Sequence, residues 1–136
     1  MLNPKVSIIL PNFNSHSYIS ETLDSIINQK YKNWELIVVD DNSNEKTKII
    51  LNDYLNTKNI KIIFLKKRMG AGFCRNLAIR HSISDYTAFI DSDDLWSDSK
   101  LEDQINFMRK NQYDFTYTYY STFQEKNLNK NIRIIM

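Results

Sequence analysis

The sequence is short of the residues that bend, cross-link or embed a chain: two glycines, two prolines and one cysteine in 136 residues. A lone Cys74 excludes an internal disulfide framework and suits a reducing compartment. No stretch reaches the roughly 18 apolar residues that span a bilayer. The apolar run 6–10 is too short for a secretory core and meets Pro11 and polar residues at once. Neither sign of charge dominates, since 18 Lys and Arg face 16 Asp and Glu, and a net charge of +2 gives no reason to expect nucleic acid. The expectation is a single cytoplasmic domain, long enough to bury a real core, whose partners must be argued from its sites.

What the sequence does have is a series of short apolar runs, most of which end in polar loops. Residues 5–10 are nearly all apolar, which suits a strand buried on both faces, and 11–14 read as a loop. Ile19, Leu23, Ile26 and Ile27 follow at the spacing of one helical stripe. Residues 34–39 form a second strand that ends in Asp40 and Asp41. Asn42, with Glu45 three residues later, predicts the start of a helix that turns Ile49, Ile50 and Leu55 inward. A third strand covers 61–65. Both glycines, Gly70 and Gly72, fall in the next loop, which predicts positive φ or close backbone approach there. A helix over 73–83, a strand over 86–90, and a helix N-capped by Ser97 with Leu101, Ile105 and Met108 inside come next. A fifth strand is expected over 115–119, followed by a polar stretch over 124–130.

This alternation predicts an α/β fold, a Rossmann-like, doubly wound, mostly parallel sheet with helices on both faces. Right-handed crossovers bring every strand's carboxyl end to one edge, where such sheets bind ligands. The loop 11–14, the pair Asp40 and Asp41, and the acidic stretch 91–94 therefore converge. In that last stretch an apolar strand empties into Asp91, Asp93 and Asp94. Carboxylates this close repel one another unless a positive charge joins them, and a hard divalent cation prefers oxygen ligands. The bland alternative is an acidic turn, since Asp and Ser are common turn residues.

Four stretches, VSIILPNFN (6–14), IVVDDNS (37–43), GAGFCRN (70–76) and FIDSDD (89–94), occur in this order and resemble the inverting glycosyltransferases of family 2 over the chain to about Asn111. The resemblance implies a GT-A fold and a role in polysaccharide biosynthesis. The implied reaction moves a sugar, with inversion and with Mn2+ or Mg2+, from a nucleotide-diphosphate sugar, a UDP-sugar being favoured, to a glycan or lipid-linked acceptor. It places Pro11, Phe13 and Asn14 in the loop holding the base. Phe13 would stack on the base without the hydroxyl contact that the tyrosine of many members supplies; its alternative is core packing. Asp41 would accept a hydrogen bond from the base with Asp40 in support, unless one of them caps the next helix.

The resemblance also assigns Gly70, Gly72 and Arg75 to the diphosphate region, with a solvent-facing Arg75 as the alternative. Asp93 and Asp94 match its DXD-type metal site, with Asp94 as direct ligand and Asp91 as a further ligand or support. Trp96 would pack beneath them, and His16 and His81 are read as surface or loop residues. The basic run Lys66, Lys67 and Arg68 would attract the donor or anionic lipid, so peripheral association at the inner face of the membrane stays open. The family's general base lies in a segment after the fifth strand, so the catalytic base is expected beyond Met136 and none is expected within the chain. Glu125 sits in a polar stretch, and residues 1–136 are expected to be the donor-binding domain of a longer enzyme. A nucleotidyltransferase and a non-catalytic nucleotide-binding module remain open beside this reading.

Overall fold

The computed structural model describes residues 3–122. Four strands, β1 (Val6–Asn12), β2 (Trp34–Asp40), β3 (Ile60–Phe64) and β4 (Tyr86–Phe89), alternate with four helices. The helices are α1 (Ile19–Ile27), α2 (Glu45–Asn52), α3 (Ala71–Arg80) and α4 (Lys100–Asn111). All pairings are parallel and the strand order is β3-β2-β1-β4.

The central strands β1 and β2 read as continuous apolar runs because both of their faces are covered. Val6, Ile8 and Leu10 enter a core with Leu36, Val38, the α1 stripe Ile19, Leu23 and Ile26, and Leu51, Leu101 and Ile105 of α2 and α4. Ile9, Ile37 and Val39 point the other way, against Cys74 and Ala78 of α3. Right-handed crossovers explain this division. Stepping outward from β1 to β2 to β3 puts α1 and α2 on one face, and the return to β4 on the far side of β1 puts α3 on the other. Strand order reverses between β1 and β4, so a crevice opens at their carboxyl ends.

β1 continues past its expected end at Leu10 and takes in Pro11 and Asn12. The Ile9 carbonyl accepts from Ile90 N–H at 3.2 Å. Pro11, two residues on, therefore turns its nitrogen to the same side, where β4 has already ended at Phe89 and no ladder bond is lost. Helix α2 is capped by Asn44, whose side chain accepts from Thr47 N–H at 3.0 Å, and not by Asn42, which sits in a turn with φ 58°. The later start changes which side chains face inward. Thr47 and Leu51 are buried, Ile50 packs against the core, and Ile49 and Leu55 are exposed, against expectation.

Helix α3 begins before Phe73 and ends at Arg80, and its N-cap Gly70 has φ 92°, a conformation that favours glycine. Gly72 has neither positive φ nor a close neighbour, so only one of the two glycines answers the expectation. Ser99, not Ser97, is the N-cap residue of α4, and Ser97 gives its carbonyl to Lys100 N–H at 3.1 Å. The expected strand over 115–119 does not form. Phe115 and Tyr117 are 80% and 82% exposed, and the Gln104 side chain of α4 holds Thr116 Oγ1 at 2.9 Å. A Tyr- and Thr-rich segment suits a pleated surface, but a strand needs a partner and none of the described strands pairs with it. The stretch 124–130, with Glu125, lies outside the described residues. So does Met136, the position beyond which the general base is expected.

Candidate functional site

A cleft of about 260 Å³ opens at the switch between β1 and β4. It is lined by Pro11, Asn12 and Phe13 from the end of β1, by Asp41, by Arg68, Ala71, Cys74 and Arg75 around the start of α3, and by Asp91, Ser92 and Asp93 after β4. Of the residues singled out from sequence, Pro11, Phe13, Asp41, Arg75, Asp91 and Asp93 meet here. Asn14, Asp40, Gly70, Gly72 and Asp94 do not line it.

Phe13 is not a core residue: it is 36% exposed, and the Arg68 guanidinium carbon sits 3.8 Å from its ring centroid. The residues that fail to reach the cleft hold the ones that do. Asp40 is buried and accepts from Asn12 Nδ2 at 2.8 Å, Ser43 N–H at 3.1 Å and Ser43 Oγ at 2.5 Å. Asn14, with φ 48°, donates its N–H to Ser43 Oγ at 2.9 Å and accepts from Asn44 N–H at 2.7 Å. Together these bonds fix the 12–15 turn against the end of β2.

Asp41 is 3% exposed and pins the glycine loop, accepting from Met69 N–H at 2.6 Å and Gly70 N–H at 2.8 Å. It caps no part of α2; it anchors the entry to α3. The α3 N-terminus faces the cleft through Ala71 and Arg75, and its free N–H groups favour an anion there. Cys74, at the cleft floor, is fully buried, and burial together with the charge and hydrogen bonding of Asp41 pushes its thiol up to about 11. It is therefore an inert packing residue.

The acidic wall is a turn in which Asp94 N–H donates to the Asp91 carbonyl at 3.1 Å. Arg75 Nη2 donates to Asp91 Oδ1 at 2.8 Å, tying this wall to α3 across the cleft. Polar side chains of α1 and of Gln29 just past its end hold the loop from behind. Thr22 Oγ1 donates to the Ser92 carbonyl at 3.0 Å, Ser25 Oγ accepts from Trp96 N–H at 3.3 Å, and the buried Gln29 bonds the Ser97 carbonyl at 2.6 Å and Leu101 N–H at 3.1 Å. Trp96 packs against the main core, with Lys100 Nζ 3.7 Å from its ring centroid.

Asp94 lies beside the cleft, and its carboxyl is pushed up by burial and then by the negative charges of Asp93 and Asp91. Among the described residues no three His, Cys, Asp or Glu side chains converge as a ligand cluster. Asp91 is engaged by Arg75, which leaves Asp93 and Asp94 as the carboxylates of this turn that could hold an ion. Two hard oxygen donors that repel each other beside a cleft fit a magnesium or manganese ion in the chemistry of their atoms, and such an ion would relieve their repulsion.

Sequence reasoning gave Arg68 only as part of a basic run that would attract the donor, not as a residue of the cleft, and missed the supporting roles of Asn12, Ser43, Thr22, Ser25 and Gln29. Arg68 had a signal: it shares the 68–72 loop with Gly70, at the sheet edge where ligands bind. Thr22, Ser25 and Gln29 are also written at helical spacing, flanking the apolar face.

Comparison with known proteins places the chain. Glycosyl transferase family 2 matches residues 7–135. TuaG of Bacillus subtilis (strain 168), a glycosyltransferase named for teichuronic acid biosynthesis, is 40% identical over 119 residues, which is 87% of this chain and 47% of TuaG. The Escherichia coli UDP-Glc:alpha-D-GlcNAc-diphosphoundecaprenol beta-1,3-glucosyltransferase WfgD is 37% identical over 123 residues, covering 90% of this chain and 48% of WfgD. The chain thus spans about half the length of these relatives. Among solved structures, S. aureus TarS 1–349 in complex with UDP is similar at a TM-score of 0.74 and 34% identity, over 79% of this chain and 33% of that one. The mannosyltransferase PcManGT from Pyrobaculum calidifontis, in complex with GDP-Man and Mn2+, gives 0.73 and 26%, over the same shares. With its parallel sheet, its switch-point cleft and these matches, the chain belongs to glycosyl transferase family 2.

Proposed function

We propose that the chain is the donor-binding domain of a glycosyltransferase that moves a sugar from a nucleotide-diphosphate sugar to a glycan or lipid-linked acceptor, with inversion. The observation that carries this is the make-up of one cleft. An aromatic face, two arginines and a helix N-terminus stand on one side, and a carboxylate turn stands on the other. A base stacks on Phe13, the diphosphate meets Arg75 and the α3 N-terminus, and Asp93 and Asp94 hold a manganese or magnesium ion. Bound there, the ion would stabilise negative charge growing on the leaving diphosphate as a Lewis acid.

Uridine is the favoured base. Asp41 already accepts two backbone N–H groups, but a carboxylate has about four acceptor sites, so a uracil imide N–H can still be accommodated. WfgD is named for UDP-Glc and TarS was solved with UDP, whereas PcManGT was solved with GDP-Man, so guanosine is the competing base.

Transfer also needs a general base to take the acceptor proton. None of the described carboxylates is assigned that role: Asp91 is tied to Arg75, and Asp93 and Asp94 are given to the cation. No described helix is long and apolar enough to cross a membrane. The exposed run Lys66, Lys67 and Arg68 supports a cytoplasmic enzyme that touches anionic lipid peripherally. A thermal-shift panel of UDP-, GDP- and ADP-sugars, with and without manganese, tests the proposal. A rise in midpoint with UDP-sugars plus manganese is expected, and no rise with any nucleotide sugar would overturn it.

A further inference from the structure

We propose that Arg68 is a latch on the base platform, so that a base stacks on Phe13 only when its ligand carries phosphate to draw the arginine away. The inference rests on the nucleotide site proposed above and adds a specificity-determining residue to it. The Arg68 guanidinium carbon lies 3.8 Å from the Phe13 ring centroid, at stacking contact, which leaves no room for a further plane between them. A base reaches that face if the guanidinium rotates off, or if the whole segment lifts and the base enters as a middle layer. The backbone opposes lifting. Met69 and Gly70, the two residues after Arg68, donate their N–H groups to the buried Asp41 at 2.6 and 2.8 Å.

Rotation, in contrast, is cheap. The Arg68 side chain is 66% exposed, and its charge is met at 4.0 Å by Asp41 Oδ2, an oxygen that already accepts Gly70 N–H. The stack is weak for so exposed an arginine, and the 4.0 Å ion pair adds little, because the buried Asp41 carboxylate keeps both of its backbone N–H donors when the arginine leaves. A phosphate offers a guanidinium two parallel charge-assisted hydrogen bonds. Arg75 is not free to supply all of that charge, because Asp91 takes its Nη2 at 2.8 Å. Moving Arg68 from the ring to a phosphate therefore exchanges a weak contact for a strong one and uncovers Phe13. A free nucleoside has to displace the arginine with nothing in return.

Calorimetry on the wild type and Arg68→Ala tests this with uridine and UDP, and in parallel with guanosine and GDP, at one fixed manganese concentration. The variant is expected to bind the nucleoside several-fold tighter and the diphosphate at least tenfold weaker than the wild type. Arg68→Lys, which keeps the charge without the planar fork, should recover part of the diphosphate loss. Weaker binding of both ligands by Arg68→Ala would show that the arginine sandwiches the base, and unchanged binding of both would show that it does neither; each overturns the latch while leaving the nucleotide site intact. Failure of both diphosphates to bind the wild type would overturn the nucleotide site and the latch together. Coincident thermal midpoints of the wild type and Arg68→Ala, expected for so exposed a side chain, show that the shifts are local.

Discussion

Two carboxylates at opposite edges of the sheet, Glu35 and Asp94, are treated in opposite ways. At the amino edge, Glu35 of β2 accepts from Ser7 Oγ at 2.5 Å, Ser84 Oγ at 3.1 Å, Ile83 N–H at 3.2 Å and Lys5 Nζ at 3.2 Å. Burial alone would push its carboxyl up, yet these donors outweigh it and hold the group below its ordinary value. At the carboxyl edge, Asp94 has two acidic neighbours and its carboxyl is pushed up. A carboxylate whose donors come from the start of β1 and the turn before β4 is part of the scaffold. One left among like charges beside a cleft needs something from outside, and that contrast separates the site from the frame.

Two lysines differ likewise in what meets them. Lys5 is paired with Glu35 at 3.2 Å, whereas burial lowers Lys100, stacked on Trp96 after the acidic loop, to about 8.

The contrast can be broken from either edge. The largest effect is expected from Glu35→Ala, which strands all four donors: a loss of about 3 kcal/mol in urea unfolding, with nucleotide affinity unchanged. Because the folded value of Glu35 is lowered, its contribution is fully present above the ordinary glutamate range and is lost as pH falls through the folded value. Glu35→Gln should flatten that acid limb.

Lys100→Met should act in the opposite direction and raise stability at pH 7 by on the order of 2 kcal/mol, after the lost ring contact is discounted. Between pH 8 and 10.5 the folded wild type gives up the Lys100 proton while the unfolded chain keeps it, so wild-type stability rises with pH across that window. Urea midpoints at pH 7 and pH 10 should show the slope in the wild type and its loss in the variant.

A smaller effect, confined to binding, is expected at the acidic turn. Asp94→Asn should leave stability unchanged or slightly raised and weaken manganese-dependent UDP binding about tenfold, or ~1.4 kcal/mol. Asp98→Asn is the control with almost no effect on binding, since Asp98 makes an exposed pair with Lys30 at 3.0 Å.

Most of the frame was legible from sequence, because β1 and β2 are buried on both faces and α1 and α4 carry clean apolar stripes, and each of these leaves a periodic trace. The misjudged parts depended on information that periodicity does not carry. Asn42 and Asn44 both look like caps until the backbone assigns a left-handed turn to one and the cap to the other, and the placement of Ile49 followed that choice. Residues 115–119 have strand composition and no strand partner among those described.

In the site, the positions of Phe13, Arg75 and the 91–94 turn were legible because strand ends and charge are written in order. The engagement of Asp41 with the glycine loop was not, nor was the seating of Arg68 on Phe13. Both join residues about 28 or more positions apart whose meeting is set by the β2 and β3 crossovers.

Titration of UDP into the wild type and Asp94→Asn, each with manganese and with chelator, tests most directly whether the unsatisfied carboxylates at the carboxyl edge are a binding site. The expected result is binding by the wild type in manganese, at least tenfold weaker binding in chelator, and behaviour of Asp94→Asn in manganese that matches the wild type in chelator. Equal affinity of the wild type with and without manganese would contradict the account and leave the 91–94 stretch as an acidic turn.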